Sequence, residues 1–178
     1  MPEVIVRHMT GNKMQKFHTG SVLATPDLAD QVIGKESMNN IVNKITIVRH
    51  DDIQATHWEL YLEGNGPSVK VDLMEVGYRV LFDANARTGT DGSLETLKME
   101  TPKTLGECIK MVGFVASKRG DWTGTLKYNC QDFVILYLAA IGMSASQIFK
   151  YELRRFVTKF VPPIVTDADA DGNIRTRY

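Results

Sequence analysis

The sequence predicts an α+β fold in which a small antiparallel β-sheet packs on a central helix. Between residues 44 and 99, apolar and polar side chains alternate with a period of two, as they do in half-buried strands. After Pro102 the period changes to that of helices, and one of these helices is apolar on nearly all sides. A run of strands followed by a run of helices is typical of α+β domains.

The predicted strands follow one another along the chain as a meander. The segment 56–62 alternates strictly, with Trp58 on one face and His57 on the other. A turn signal, Gly64–Pro67, separates it from a second alternating segment, so the two form an antiparallel hairpin. The predicted strands cover residues 45–48, 56–62, 69–74, 78–82 and 93–99.

Capping patterns place the helices that follow. Thr104 and Glu107 begin a helix that ends near Gly120. Residues 130–141 are apolar nearly all round, which predicts a central, covered helix. Ser144 begins a last helix, which ends before Pro162 and has an apolar stripe and a solvated basic face. The stripe comprises Phe149, Leu153, Phe156, Val157 and Phe160, and the basic face comprises Lys150, Arg154, Arg155 and Lys159.

The length of 178 residues suits one domain with short appendages. We expect an N-terminal extension packed on the domain (1–43), a catalytic core with a C-terminal helix (44–161) and a flexible polar tail (162–178). The sequence assigns no role to the extension, or to the acidic run Asp167–Asp171 of the tail. That run resembles half of a calcium loop, but Tyr178 replaces the glutamate that the loop needs.

Composition excludes several classes of function. Lys and Arg number 21 and Asp and Glu number 21, so the zero net charge argues against a nucleic-acid partner. No stretch reaches the roughly 18 apolar residues of an integral membrane segment, and no targeting segment is visible, so we expect a cytoplasmic protein. Two cysteines and four scattered histidines favour neither a disulfide framework nor a metal site, and we expect no cofactor.

Cys130 is the strongest candidate for chemistry, because it lies at the predicted N-terminus of the most buried helix. The backbone N–H groups and the dipole there stabilise a thiolate. A cysteine nucleophile needs a base, and His57 lies on a strand with Asp72 on the next one. Each residue taken alone is more often structural: a free cysteine packs in a core, and a strand histidine forms a local hydrogen bond.

Three short motifs resemble the circularly permuted branch of the papain-like superfamily, which includes NlpC-like hydrolases and lecithin:retinol acyltransferase-like enzymes. The pair His57-Trp58 matches the histidine and tryptophan that open a strand in that family. The stretch 129–134 matches the start of its nucleophile helix, with Gln131-Asp132 in place of Glu-His. Asp72 stands where the family usually has a second histidine, and the order His, polar residue, Cys is the permuted one.

The resemblance implies a cysteine-dependent acyl-transfer enzyme that acts on an amide or ester through a thioester. In this reading Cys130 is the nucleophile, His57 its base, and Asp72 orients His57. The Cys130 N–H and a second donor bind the oxyanion, and Gln131 is a candidate for that donor. Further candidates for substrate binding are Trp58, Trp122 and Tyr128.

Two other functions stay open at this stage. An isopeptidase-like thiol protease uses the same triad, and a non-catalytic binding module keeps the fold without the chemistry. The substrate is a small molecule, a lipid or a peptide, since a papain-like cleft accepts all three. The sequence specifies neither the oligomeric state nor the choice between hydrolysis and transfer to another acceptor.

Overall fold

The computed structural model describes residues 3–6, 21–23, 35–51, 56–74, 77–82, 92–120, 122–123, 127–160, 164–168 and 174–177, and the account below concerns these. Their architecture is α+β, with a five-stranded antiparallel sheet and four helices. The predicted fold class is therefore confirmed at this level.

The elements of the sheet include every strand that the alternation predicts. Two short strands and one helical turn come first: β1 (Glu3–Val6), β2 (Ser21–Leu23) and α1 (Lys35–Met38). The five longer strands are β3 (Ile41–Asp51), β4 (Thr56–Gly64), β5 (Val69–Met74), β6 (Gly77–Phe82) and β7 (Gly92–Thr104).

The antiparallel sheet has the spatial order β6-β5-β4-β3-β7. Strand β1 adds to it by antiparallel pairing with β6, and β2 pairs in parallel with β1, so segments of the N-terminal extension extend the sheet. Strand β3 starts at Ile41, so its first residues come from the region assigned to that extension. The buried side chains on one face of the sheet are apolar, and the other face carries the buried polar side chains Thr46, Glu59 and Asp72.

The hairpin of β4 and β5 positions the candidate site. Leu60 lies opposite Val71, and Leu62 lies opposite Val69, as the predicted hairpin requires. The ladder ends at the pair Leu60–Val71. His57 and Asp72 lie just beyond this end, on the polar face of the sheet.

Three helices follow β7: α2 (Leu105–Arg119), α3 (Cys130–Ala140) and α4 (Ala145–Phe160). Both predicted capping boxes are present. The Glu107 N–H donates to Thr104 Oγ1 at 3.2 Å, and the Ser144 N–H donates to Gln147 Oε1 at 3.0 Å. Helix α3 packs against β4, β5, α2 and α4, and its Tyr137 hydroxyl donates to the Cys108 carbonyl oxygen at 2.9 Å.

In helix α4, the side chains of the apolar stripe that the structure describes point to solvent instead of packing on the core. Phe149, Leu153 and Phe156 are 63%, 53% and 58% exposed, whereas Tyr151 and Arg155 are buried. The prediction of a solvated face is therefore wrong for Arg155. Polar contacts fix this orientation of the helix, because Tyr151 donates to a glutamate of β7 and Arg155 bonds to α3.

The C-terminal region contains a two-stranded antiparallel sheet of β8 (Ile164–Ala168) and β9 (Ile174–Arg177). Residues 169–173, which include most of the acidic run, lie outside the described residues. The flexibility of this tail stays a prediction. Within the described ranges, no helix has both the length and the apolar character that crossing a membrane requires.

Candidate active site

Cys130 is the first residue of α3, and a capping box fixes it there. Asn129 precedes the helix, and its Oδ1 accepts hydrogen bonds from the N–H groups of Gln131 at 3.0 Å and Asp132 at 3.4 Å. In return, the Asp132 carboxylate accepts from the Asn129 N–H at 3.2 Å. Our sequence analysis did not use this Asn-x-x-Asp spacing, although it is a signal for a helix start. The cap holds the Cys130 thiol at the positive end of the helix dipole.

His57 and Asp72 form a hydrogen bond at the open end of the β4–β5 ladder. The distance between His57 Nε2 and Asp72 Oδ2 is 3.0 Å. Asp72 is fully buried, and the His57 side chain is about one-third exposed. Arg79 of β6 holds the same carboxylate, because its Nε donates to Asp72 Oδ1 at 2.9 Å and its terminal nitrogen donates to Oδ2.

The side chain of Cys130 is the other group near the imidazole, and a hydrogen-bond contact with it is one of the causes that raise the pKa of His57. The three residues that the sequence proposed as a triad therefore meet at one ring. The ring nitrogen that bonds to Asp72 is Nε2. Cys130 is only 7% exposed, so the contact lies in a largely dehydrated environment.

The charge state of His57 follows from these contacts. Burial by itself lowers the pKa of His57, because it penalises the charged ring. The hydrogen bonds to Asp72 and Cys130, together with their negative charges, outweigh burial and raise the pKa of His57 to about 10. The ring is therefore an imidazolium at neutral pH.

A second buried acid, Glu59, lies beside the triad on the same strand as His57. It accepts hydrogen bonds from Lys70 Nζ and the Tyr61 hydroxyl, both at 2.9 Å, and its Oε2 lies 3.1 Å from His50 Nε2. Burial acts to raise the pKa of Glu59, but the bonds to Lys70 and His50 lower it below its ordinary value. The alternation of the strand places Glu59 on the same face as His57, yet our sequence analysis assigned no role to Glu59 or to Lys70, which bonds to it.

In the part of the chain that the structure describes, one group of side chains could act as metal ligands. One ligand atom each from His57, Glu59 and Asp72 lies within 4.8 Å of the others. However, Lys70 bonds to Glu59 and Arg79 bonds to Asp72, so both carboxylates already face a cation. An added metal ion meets repulsion from these cations, and the cluster suits proton transfer better than metal binding.

The residues predicted to bind substrate have other partners. Trp58 is 1% exposed and packs edge-on against Tyr151, with ring centroids 5.8 Å apart. Tyr128 is buried, and its hydroxyl lies 2.9 Å from that of Tyr78. Both rings are packed in the interior, and the half-buried Trp122 also contacts the hydrophobic core, so a role of these residues in substrate binding stays a prediction.

Gln131 is buried, and its backbone N–H is engaged by Asn129. The role of Gln131 as the second oxyanion donor stays a prediction. The N–H of Cys130 itself stays the predicted first donor, since it lies at the N-terminus of α3.

Comparison of the chain with protein-family models, with curated proteins and with solved structures finds no match in any of the three.

Proposed function

We propose that this protein is a cysteine-dependent enzyme that transfers an acyl group from an amide or ester through a thioester on Cys130. The observation that carries the proposal is that two groups act on the imidazole of His57: its Nε2 lies 3.0 Å from Asp72 Oδ2, and a contact with the Cys130 side chain helps to raise its pKa. A thiol at a helix N-terminus beside an imidazolium is activated as a nucleophile, and a buried acid keeps the imidazole oriented.

The proposed reaction begins with the proton on His57 and a thiolate on Cys130. The sulfur attacks the carbonyl carbon, and the negative charge moves to the carbonyl oxygen, which the Cys130 N–H stabilises. The carbonyl then re-forms, the bond to the leaving nitrogen or oxygen breaks, and His57 gives its proton to that atom. Water or an amine next attacks the thioester, His57 takes up its proton, and the thiolate leaves.

Asp72 has a defined part in this sequence. Its carboxylate stabilises the imidazolium and holds the ring with one nitrogen toward sulfur. Arg79 keeps that carboxylate ionised, because it bonds to both oxygens and lowers the pKa of Asp72 together with His57. Asp72 therefore stabilises the charge on His57 without taking its proton.

The order of the triad along the chain supports a permuted papain-like assignment for this α+β fold. His57 and Asp72 lie on adjacent strands of the sheet, and Cys130 follows them at the start of a helix that packs on those strands. The isopeptidase-like function uses the same chemistry on a protein tail. The binding-module function requires that no thioester forms, so one experiment separates it from both enzymes.

That experiment uses p-nitrophenyl acetate, an activated ester, as the acyl donor and intact-mass and peptide-mass analysis as the readout. We expect one acetyl group on Cys130 of the wild type, and none on Cys130→Ser or His57→Ala. Cys108 is an internal control, because burial raises the pKa of its thiol to about 12 and it is not expected to react. Equal labelling of His57→Ala, labelling of Cys108 alone, or no labelling contradicts the proposal. Adding a primary amine then shows whether water or the amine receives the acyl group.

A further inference from the structure

A buried arginine of helix α4 contacts the first turn of α3, the helix that begins at Cys130. Arg155 is 4% exposed, its Nε donates to Asp132 Oδ1 at 3.0 Å, and one terminal nitrogen donates to Asp132 Oδ2 at 2.8 Å. The other terminal nitrogen donates to Gln131 Oε1 at 3.2 Å. The cation therefore contacts the side chains of the two residues that follow Cys130.

Asp132 creates an electrostatic conflict at this point. Its carboxylate caps the Asn129 N–H, and this contact helps to fix the start of α3. The same carboxylate adds a negative charge to the turn that begins at Cys130, and a nearby negative charge disfavours a thiolate. Arg155 bonds to both oxygens of this carboxylate and opposes its charge.

The other charges around the nucleophile are arranged differently. Glu59 has Lys70, and Asp72 has Arg79, so each of these acids on the sheet is balanced by a cation on the sheet. Asp132, on the nucleophile helix itself, is balanced by a cation from α4, Arg155. The charged groups that ion pairs join around His57 and Asp132 are His57 and Glu59 on β4, Lys70 and Asp72 on β5, Arg79 on β6, Asp132 on α3 and Arg155 on α4.

We infer that Arg155 is a positioning residue for the Cys130 nucleophile. Arg155 offsets the negative charge of Asp132, so that Asp132 can cap the start of α3 without disfavouring a thiolate on Cys130. The inference rests on the proposed function, because it requires a thiolate at Cys130. A purely structural tie between α3 and α4 has the same contacts. The two roles differ in one respect: the electrostatic role depends on the charge of Asp132, and the structural tie depends on the geometry of the bonds.

The test is a double-mutant cycle read out by alkylation of Cys130 with iodoacetamide, followed by peptide mass mapping. The measured quantity is the ratio of the rate at about pH 6 to the rate at about pH 9, because only the thiolate reacts. We expect Arg155→Met to lower this ratio about tenfold, as loss of a nearby balancing charge predicts. The double variant Asp132→Asn, Arg155→Met is expected to recover to within about threefold of the wild type. Arg155→Lys is expected to keep most of the ratio, because it retains the charge and loses the forked geometry.

Two results overturn the inference. Either Arg155→Met leaves the ratio unchanged, or the ratio falls and neither Asp132→Asn nor Arg155→Lys restores it. If Arg155→Met does not fold, the single variant Asp132→Asn decides. Removing the negative charge of Asp132 must raise the rate ratio above that of the wild type, and an unchanged or lower ratio overturns the inference. A wild-type ratio that equals that of a free cysteine and does not respond to His57→Ala contradicts the proposed function as well. A wild-type ratio that responds to His57→Ala but not to Arg155→Met contradicts this inference alone.

Discussion

Replacing Asp72 by asparagine tests the electrostatics of the triad directly. The substitution keeps the size of the side chain and removes the negative charge that faces His57 at 3.0 Å. The hydrogen bond to Asp72 is the strongest of the contacts that raise the pKa of His57. We therefore expect the pKa of His57 to fall from about 10 toward its ordinary value of 6.5 in Asp72→Asn.

The size of the fall follows from the strength of the bond that is lost. A hydrogen bond to a charged group contributes about 1.5–3 kcal/mol, and one pKa unit corresponds to about 1.36 kcal/mol. The expected decrease is therefore about one to two units. The contact of His57 with Cys130 persists, so the pKa of His57 is expected to stay above 6.5 in the variant.

The assay is a titration of the imidazole ring resonances by NMR between about pH 5 and pH 11, a range that spans the ordinary value and the raised one. The chain has four histidines, so His57→Gln identifies the resonance that belongs to His57. Glu59→Gln is the matched control, because Glu59 is also a buried acid but its Oε1 lies 3.8 Å from His57 Nε2. It is expected to shift the titration by less than Asp72→Asn does.

Two results refute this reasoning. The first is a wild-type His57 that titrates near its ordinary value, since the contacts with Asp72 and Cys130 then do not stabilise the charged ring. The second is an equal fall in Asp72→Asn and Glu59→Gln, since the effect then comes from general negative charge on the sheet and not from the bond to Asp72.

Three further predictions concern stability and reactivity. Gly64→Ala is expected to destabilise the protein by about 3 kcal/mol in urea unfolding, because an added Cβ would lie 1.7 Å from the Ile41 carbonyl oxygen. Gly113→Ala is the control, because a Cβ there meets nothing within 4 Å. Equal effects of the two substitutions contradict the steric argument. Burial raises the pKa of Cys108 to about 12, so a thiol reagent at about pH 8 is expected to modify Cys108 only after unfolding, and rapid modification of the native protein argues against this burial. The pKa of Glu59 is lowered below 4.5, so its contribution to stability is present above that pH and is lost as the pH falls. Glu59→Gln should therefore be less stable at neutral pH and show a weaker loss between about pH 5 and pH 2, and parallel acid-unfolding curves would count against it.

Local patterns were sufficient to predict most of the fold. Strict alternation in 56–62 and 69–74 gave the hairpin, because only one register buries both apolar faces. The capping residues Thr104 and Ser144 marked two helix starts correctly, since a cap is a contact between residues three apart. The triad residues could be proposed because they belong to short motifs, and the structure brings their side chains together.

The contacts that cross between elements could not be predicted in the same way. Arg155 has the spacing of a solvated basic face, and only the packing of α4 on α3 turns it toward Asp132. The orientation of α4 likewise depends on its contact with β7, so the sequence pattern did not show that Phe149 and Leu153 face outward. Side-chain pairs between distant elements depend on the assembled fold, and a single sequence contains no periodic signal for them.

The order of the strands in the sheet has a kinetic consequence. Neighbours β3 and β7 bring together side chains that are 50 residues apart in the chain, such as Thr46 and Thr96, whereas the His57–Asp72 pair spans only 15. Distant pairings close large loops and form slowly, and local hairpins form in about 1–10 μs. During refolding, the base and its acid are therefore expected to meet early. Cys130, whose helix follows all five strands in the chain, is expected to join this pair last.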